Sequence, residues 1–327
     1  MKKRIAVVCP GRGSYSRDTL NSLVPSPSVT AADLLRAGLG RPTPTEMDSA
    51  ETYQSRLHVA GENASILTAT CSLADADTLR DVSVCAVLGN SMGWYTALIV
   101  AGALPLADGL RLVETMGQYQ ADNVIGGQVL YPLVDEDWHA RPSPELDRAL
   151  YEIPDLYWSI RLGGQAILGG SEAAVAELLR RLPKRKDYPV QLPLHSAFHT
   201  PLMAETSARA GHDLADLAWQ APRVPLIDGR GHVFRPRYAD GIREYTLDAQ
   251  VVEPYDFTTS VRVVLREYAP DALVLLGPGG NLGGPVAQAL IAEGWRGLHA
   301  KADFTELQRT EPFVLSMARA DQRRLIT

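Results

Sequence analysis

A serine between small residues stands where a nucleophile could be lifted out of a sheet. Residues 89–93 read Gly-Asn-Ser-Met-Gly, directly after the apolar run 82–88 and before an apolar stretch that ends near Val100. In a nucleophile elbow of the G-x-S-x-G type, a sharp strand-to-helix turn exposes the serine hydroxyl and glycines relieve crowding. The helix that follows offers free N–H groups to a developing oxyanion. This context favours Ser91 as a catalytic nucleophile over a serine in a structural turn.

A serine hydroxyl needs a base to become a good nucleophile. Seven histidines are available, at positions 58, 139, 195, 199, 212, 232 and 299. His299 has the late position of the base in α/β-hydrolases, but it lies in a stretch that has the pattern of an ordinary strand. His195 and His199 share the segment 192–203, and composition alone does not choose between them.

The elements around these residues alternate between strands and helices. Short apolar runs at 5–9, 82–88 and 272–276 are typical of buried parallel strands. The first run ends in the turn Pro-Gly-Arg-Gly-Ser at 10–14. The spacing of apolar residues predicts helices at 62–79 and 105–120, and the proline-rich stretch 24–45 is predicted to be a loop broken by short helix.

Residues 124–192 have a different pattern. They predict, in order, a strand at 128–134, a helix at 144–152, two strands within 156–169, a helix at 171–182 capped by Ser171, and a strand at 188–192. That order describes a small α+β unit. We therefore predict an α/β fold in two domains: a large discontinuous α/β domain over 1–123 and 193–327, and a small domain over 124–192.

Composition limits the classes of function. The chain has 327 residues, of which 46% are hydrophobic and 21% charged, with a net charge of −6, and it carries no dense basic face for nucleic acid. The N-terminal apolar run is too short for a signal peptide, and no stretch reaches the roughly 18 apolar residues of a membrane span. Cys9, Cys71 and Cys85 are spaced like free thiols of a reducing compartment. We expect a cytoplasmic protein with no nucleic-acid or membrane partner.

Four motifs, in this order, resemble the malonyl-CoA:acyl carrier protein transacylase family, which includes the acyltransferase domains of polyketide and fatty acid synthases. They are the turn at 10–14, the elbow at 89–93, Ala-Phe-His-Thr-Pro-Leu-Met at 197–203 and Leu-Gly-Pro-Gly at 276–279. The resemblance covers nearly the whole chain and is weakest over 16–60. It implies an α/β-hydrolase-like large domain with a ferredoxin-like insert, and an acyltransferase that needs no metal or bound cofactor.

The resemblance also implies a role for each matched residue. Ser91 would be the nucleophile and His199 the general base, oriented by the main-chain carbonyl of Gln250 in place of the usual Asp. The backbone N–H groups of Arg12 and Met92 would form the oxyanion hole. The donor would be an acyl thioester of coenzyme A or of a carrier protein, and an acyl carrier protein would accept the acyl group.

The chain departs from the family where the acyl group would be selected. Glutamine and histidine are usual where this chain has Arg12 and Asn90. Members that load malonyl or methylmalonyl groups carry an arginine at the position of Met116, and that arginine pairs bidentately with the substrate carboxylate. Met116 cannot do this, and a buried unpaired carboxylate costs on the order of 3–5 kcal/mol.

Two other cations are candidates for that carboxylate. Arg12 is expected at the edge of the acyl pocket, and Arg161 takes a family position near the active site that asparagine usually holds. Phe198 suggests a pocket without room for a large α-branch. Alternatively, Arg12 could point to solvent and Met116 could be a core residue. The sequence leaves the identity of the acyl group open.

The leading prediction is a stand-alone acyltransferase that works through an acyl-serine. A hydrolase that clears stalled carrier proteins would use the same site, and Met116 motivates this alternative because an editing enzyme need not recognise a carboxylate. A non-catalytic scaffold for carrier proteins is the third possibility. Asn90 and Arg12 motivate the scaffold, whereas Ser91 and His199 argue against it.

Overall fold

Two β-sheets organise the chain, and the candidate nucleophile follows a central strand of the larger one. The computed structural model describes residues 2–327. In chain order the strands are β1 (Lys3–Cys9), β2 (Val82–Gly89), β3 (Gly127–Pro132), β4 (Leu156–Leu162), β5 (Gln165–Gly170), β6 (Val190–Gln191), β7 (Leu226–Ile227), β8 (Val233–Phe234), β9 (Tyr255–Asp256), β10 (Ala272–Leu275) and β11 (Val314–Ser316). The larger sheet has the order β11-β10-β1-β2-β7-β8, and its strands are parallel except for β8.

Helices connect these strands and cover the sheets. Those of eight or more residues are α1 (Pro27–Gly38), α2 (Gly61–Thr78), α3 (Gly93–Val100), α4 (Leu106–Asp122), α5 (Pro144–Glu152), α6 (Glu172–Arg181), α7 (Ala204–Asp213), α8 (Gly283–Ala292) and α9 (Lys301–Thr310). Shorter α-helical segments lie at Pro44–Asp48, Ser55–His58, Ile242–Glu244, Gln250–Val252, Phe257–Val263 and Ala320–Arg323. His299 precedes α9 and lies outside any strand, because the strand pattern expected there is interrupted by the 3₁₀ turn Trp295–Gly297.

The centre of the larger sheet is buried on both faces. Val8 of β1 lies in register with Leu88 of β2 and Leu275 of β10, and all three side chains are in the core. Continuous apolar runs suit this position because neither face of such a strand meets water. Because β1 and β2 are parallel neighbours, their carboxyl ends lie at the same edge of the sheet. The turn at 10–14 and the elbow at 89–93 therefore lie side by side there.

The second sheet has the order β6-β3-β5-β4-β9. Its first part follows the predicted β-α-β-β-α-β order through β3, α5, β4, β5, α6 and β6. Val129, Leu146, Leu168 and Leu178 belong to a separate apolar cluster that joins this sheet to α5 and α6. The mixed α/β fold class is confirmed. The division at 123 and 192 stays a prediction, since β9 brings a strand from outside 124–192 into the second sheet.

The stretch 24–45, predicted as loop broken by short helix, contains more helix than expected, because α1 fills twelve of those residues. Ser26 caps the helix by accepting a hydrogen bond from the N–H of Val29, and Pro27 is its first residue. Proline is favoured at that position because its missing N–H would have no partner there anyway. The prolines and serines of this stretch start helices instead of breaking them.

Across residues 2–327, no helix is both long and apolar enough to cross a membrane. Cys9 and Cys71 are buried free thiols, and Cys85 is a half-buried free thiol.

Candidate active site

The elbow that carries Ser91 depends on glycine on both sides. β2 ends at Gly89, α3 begins at Gly93, and Ser91 between them has a φ of 53°. A Cβ atom at Gly89 would lie 2.2 Å from the carbonyl carbon of Gly93. A Cβ atom at Gly93 would lie 2.2 Å from the carbonyl oxygen of Cys9, at the end of β1. Only glycine permits so close an approach, which explains how this turn presents the serine hydroxyl.

Ser91 and His199 are in hydrogen-bond contact. Ser91 Oγ lies 2.7 Å from His199 Nε2, and His199 Nδ1 lies 2.6 Å from the main-chain carbonyl oxygen of Gln250. A carbonyl oxygen only accepts hydrogen bonds, so Nδ1 must carry the proton and donate. Nε2 is then free to accept the hydroxyl proton of Ser91. The arrangement matches a serine, its general base and the group that orients the base.

The side chain of Gln250 makes two hydrogen bonds that hold this arrangement in place. Its Oε1 accepts a hydrogen bond of 2.8 Å from the hydroxyl of Tyr95, and its Nε2 donates one of 3.3 Å to the carbonyl oxygen of Ser91. Gln250 therefore contacts the histidine through its main chain and the serine turn through its side chain. Tyr95 lies in the first turn of α3, so the helix that follows the nucleophile also holds the residue that orients the base.

Burial keeps His199 in the form that can act as a base. The side chain is inaccessible to water, and this desolvation lowers the pKa of His199 to about 4, against a smaller opposing effect of the hydrogen bond to Gln250. At neutral pH the imidazole is therefore uncharged.

Two backbone N–H groups next to Ser91 are free to bind an oxyanion. Within residues 2–327, neither Met92 nor Arg12 uses its main-chain N–H in a hydrogen bond. The turn that brings Arg12 here needs glycines: a Cβ at Gly11 would lie 2.8 Å from the carbonyl oxygen of Asn90, and Gly13 has a φ of 86°. A pair of preorganised backbone N–H groups is the usual means of stabilising the charge that develops in acyl transfer.

A cavity of about 580 Å³ opens beside the serine, between the two sheets. It is lined by most of the residues that the sequence predicted for the site, namely Arg12, Asn90, Ser91, Met92, Met116, Phe198 and Gln250. Met116 and Met92 are nearly inaccessible to water, so they belong to the core and to the cavity wall at once. Within the part of the chain that the structure describes, no group of three or more His, Cys, Asp or Glu side chains is placed to hold a metal ion.

Arg161 does not belong to this cavity, so its prediction as a substrate-binding residue is corrected. Its neighbours in β4, Ile160 and Leu162, both line the cavity. Successive side chains of a strand point to opposite faces, so Arg161 must point away. It is exposed, and its guanidinium carbon lies 4.1 Å from the centre of the Trp158 ring.

The sequence predicted His195 only as an alternative base to His199 and did not predict Gln128 as a site residue, and both residues line the cavity. His195 Nδ1 lies 3.0 Å from Gln128 Oε1. Burial lowers the pKa of His195 to about 3, and the positive charge of Arg12 adds to this effect. His195 was visible in the segment 192–203, but only the fold shows that its ring faces the same space as Ser91.

The side chain of Arg12 is the least satisfied group of the site. Nη2 donates a hydrogen bond of 2.9 Å to the carbonyl oxygen of Val59, whereas Nε and Nη1 are buried and have no partner within residues 2–327. Asn90 Oδ1, in the same wall, is also buried without a partner. Desolvation lowers the pKa of Arg12 to about 10, with the charge of Glu62 acting in the opposite direction. The guanidinium remains charged at neutral pH.

Comparison with known proteins finds malonyl transacylases and a polyketide synthase. No family model matches the sequence. The malonyl CoA-acyl carrier protein transacylase of Mycobacterium tuberculosis (strain ATCC 25618 / H37Rv) is 26% identical over 325 residues, which is 93% of this chain and 99% of that protein. A phenolphthiocerol/phthiocerol polyketide synthase protein of the same strain is 29% identical over 147 residues. That match takes in 43% of this chain but only 6% of the synthase protein.

Solved structures share the fold over the full length. The malonyl-CoA:ACP transacylase of Synechocystis sp. PCC 6803 superimposes with a TM-score of 0.78 at 21% identity, over 99% of this chain and 100% of that one. A malonyl-transacylase in complex with its type II polyketide synthase acyl carrier protein superimposes with a TM-score of 0.74 at 18% identity, over 98% of both chains. In sequence and in fold, the chain is therefore similar to malonyl-CoA:acyl carrier protein transacylases.

Proposed function

We propose that this protein is a serine-dependent acyltransferase that moves an acyl group from a thioester, through an ester on Ser91, to the phosphopantetheine thiol of an acyl carrier protein. The observation that carries the proposal is the contact of Ser91 with His199, at 2.7 Å, next to two unused backbone N–H groups. The relatives support the donor and the acceptor, since their names include malonyl-CoA and acyl carrier protein.

In the first half-reaction Ser91 Oγ attacks the carbonyl carbon of the thioester. His199 Nε2 takes the hydroxyl proton, and the hydrogen bond from Nδ1 to Gln250 stabilises the imidazolium that forms. The N–H groups of Arg12 and Met92 bind the oxyanion of the tetrahedral intermediate. When the intermediate collapses, the C–S bond breaks and the departing thiolate takes the proton from His199.

The second half-reaction reverses this sequence with a new thiol. The phosphopantetheine thiol gives its proton to His199 and attacks the carbonyl carbon of the acyl-serine. The C–O bond to Ser91 breaks, and Ser91 Oγ recovers the proton from His199. No redox or metal chemistry enters the balance of either step.

Transfer requires that the thiol reacts before water does. Apolar side chains supply much of the wall beside Ser91, among them Val113, Met116, Leu130 and Phe198. Such a wall disfavours ordered water and fits the acyl chain and pantetheine arm of the substrates. The free thiols Cys9, Cys71 and Cys85 support the cytoplasmic location that we include in this proposal.

Intact-protein mass spectrometry tests the proposal directly. The protein is mixed with malonyl-, acetyl- and longer acyl-CoA, with and without holo acyl carrier protein, and Ser91→Ala is the matched control. We expect an acyl adduct on the wild type that is absent from the variant and that moves to the carrier. An adduct lost to water without carrier loading would favour the editing hydrolase. Absence of any adduct, with carrier binding retained, would favour the scaffold.

A further inference from the structure

The cavity beside Ser91 contains one permanently charged side chain. Within residues 2–327, no lysine, aspartate or glutamate and no second arginine contributes to its wall, which Arg12 shares with polar groups such as His195 and Asn90. A single cation in a mostly apolar cavity is a strong determinant of which acyl groups bind, because an uncharged acyl group gives it no partner.

The protein leaves this cation largely unpaired. The guanidinium has five N–H bonds, and the described residues accept one of them, at the carbonyl oxygen of Val59. Glu62 is the carboxylate whose charge influences Arg12, yet no hydrogen bond or ion pair joins the two, and Glu62 Oε2 is itself buried without a partner. A buried guanidinium with unused donors is costly unless a ligand supplies the acceptors.

The position of Arg12 suggests which part of a substrate supplies them. Its backbone N–H lies at the proposed oxyanion hole, so its side chain starts beside the thioester carbonyl. The phosphate of a coenzyme A or pantetheine donor is separated from that carbonyl by the whole pantetheine arm. A carboxylate at the far end of a short acyl chain is only one or two carbons away.

We infer that the side chain of Arg12 binds the terminal carboxylate of a short dicarboxylic acyl group, so that this enzyme selects malonyl-type donors from the first glycine turn and not from helix α4. The inference rests on the acyl-serine function proposed above. In α4 the side chain at the corresponding wall is Met116, which has no charge to offer. The hydrogen bond to Val59 is the only one that restrains the guanidinium among the described residues, so Arg12 can turn its buried Nε and Nη1 toward an entering carboxylate.

The rate at which malonyl-CoA and acetyl-CoA acylate Ser91 in a single turnover tests this inference. Intact-protein mass spectrometry measures the acylated fraction over time. For the wild type we expect malonyl-CoA to react faster. Arg12→Gln keeps the backbone N–H and removes the charge, so the ratio of malonyl to acetyl acylation rates should fall by about 100-fold or more. Arg161→Gln is the matched control, because that arginine lies outside the cavity, and it should leave the ratio unchanged within about twofold.

Adding an arginine at position 116 to the Arg12→Gln protein tests whether a cation elsewhere in the cavity wall can replace Arg12. We expect the double variant, Arg12→Gln with Met116→Arg, to regain at least a tenth of the lost malonyl preference. Such a gain would show that the first substitution removed a cation and did not unfold the turn.

A second measurement needs no variant. Free malonate should slow the acylation of wild-type Ser91 by acetyl-CoA, whereas malonamide, of similar size and without charge, should not. Equal effects of malonate and malonamide would overturn the inference.

The remaining outcomes separate this inference from the function on which it rests. If Arg12→Gln lowered the acylation rates with malonyl-CoA and acetyl-CoA equally, the inference would be overturned. Arg12 would then bind the donor phosphate or only maintain the shape of the glycine turn. Acylation of the wild type by uncharged groups alone would overturn the inference and leave the acyltransferase intact. Failure of every donor to acylate Ser91 would overturn both.

Discussion

Two sets of polar side chains at the cavity, the reaction centre (Ser91, His199 and Gln250) and the Arg12 end (Arg12 and Asn90), differ in one respect: whether the protein supplies their hydrogen-bond partners. At the reaction centre, both ring nitrogens of His199 have partners, at Ser91 and at the carbonyl of Gln250, and the side chain of Gln250 has two more. Around Arg12 the opposite holds, because two nitrogens of the guanidinium and Oδ1 of Asn90 are buried without partners in residues 2–327.

The difference separates the groups that carry out the reaction from the groups that select the substrate. A complete network holds reacting groups in position before the substrate arrives, so that little reorganisation is needed during the reaction. Buried polar groups without partners are rare in folded proteins and call for an explanation at each site. Here the explanation is that the reaction centre is built to be used unchanged, whereas the Arg12 end is completed by the ligand.

Replacing His199 should break the reaction centre and leave the Arg12 end intact. His199 has a φ of 63°, so His199→Asn is the suitable change, since asparagine tolerates this backbone conformation and is not a base. We expect the acylation rate to fall by about 10²–10⁴-fold, measured in single turnovers with malonyl-CoA. The Kd of malonyl-CoA, measured by calorimetry on Ser91→Ala and on Ser91→Ala with His199→Asn, should agree within about twofold.

His212→Ala is the control for that prediction, because the His212 side chain is 90% exposed and does not line the cavity. It should keep the wild-type rate. A rate in His199→Asn that stayed near the wild-type value would mean that another group takes the serine proton.

Gly93 joins the two ends, and a methyl group there should disturb both. The Cβ of Gly93→Ala would lie 2.2 Å from the carbonyl oxygen of Cys9 and 2.7 Å from that of Pro10, which begins the turn to Arg12. Main-chain atoms cannot rotate away, so we expect a loss of about 3 kcal/mol in the free energy of unfolding by urea. Gly284→Ala, in open space within α8, should change it by less than about 1 kcal/mol. Equal stabilities of the two variants would contradict the tight elbow.

The residues alone predict features that depend on their neighbours in the chain, whereas the pairing of the distant Ser91 and His199 was predicted only through the resemblance to a known family. The elbow at 89–93 is local, because a strand, two glycines and an apolar helix specify it. The strand alternation in β4 was also local and implied that Arg161 and Ile160 face opposite sides, but which side faces the cavity depends on how the second sheet packs. The unpaired state of Arg12 depends on Val59 and Glu62, about fifty residues away, and nothing near position 12 reveals it.

Tyr95→Phe should weaken the support of the reaction centre without removing a reacting group. The change deletes the hydroxyl that donates to Gln250 Oε1 and leaves that buried oxygen without its partner. We expect a loss of about 1–2 kcal/mol in the free energy of unfolding and a fall in acylation rate of about fivefold or less. Tyr151→Phe, at a side chain that is 92% exposed, should change neither. A Tyr95→Phe protein as stable as the wild type would show that Gln250 finds another donor.

The smallest effect should be that of pH on the acylation rate constant. A rate constant that does not change with pH would support a buried, uncharged His199. Only the uncharged form of His199 can accept the serine proton, and protonation would require a pH near its lowered pKa of about 4. Between about pH 5.5 and 8 the rate constant should therefore be flat, whereas a histidine of ordinary pKa would halve it near 6.5. Acetyl-pantetheine is the suitable donor, because it carries no phosphate that titrates in this range. An inflection near pH 6.5 would mean that water reaches His199, and then the contrast between a finished reaction centre and an unfinished Arg12 end would no longer hold.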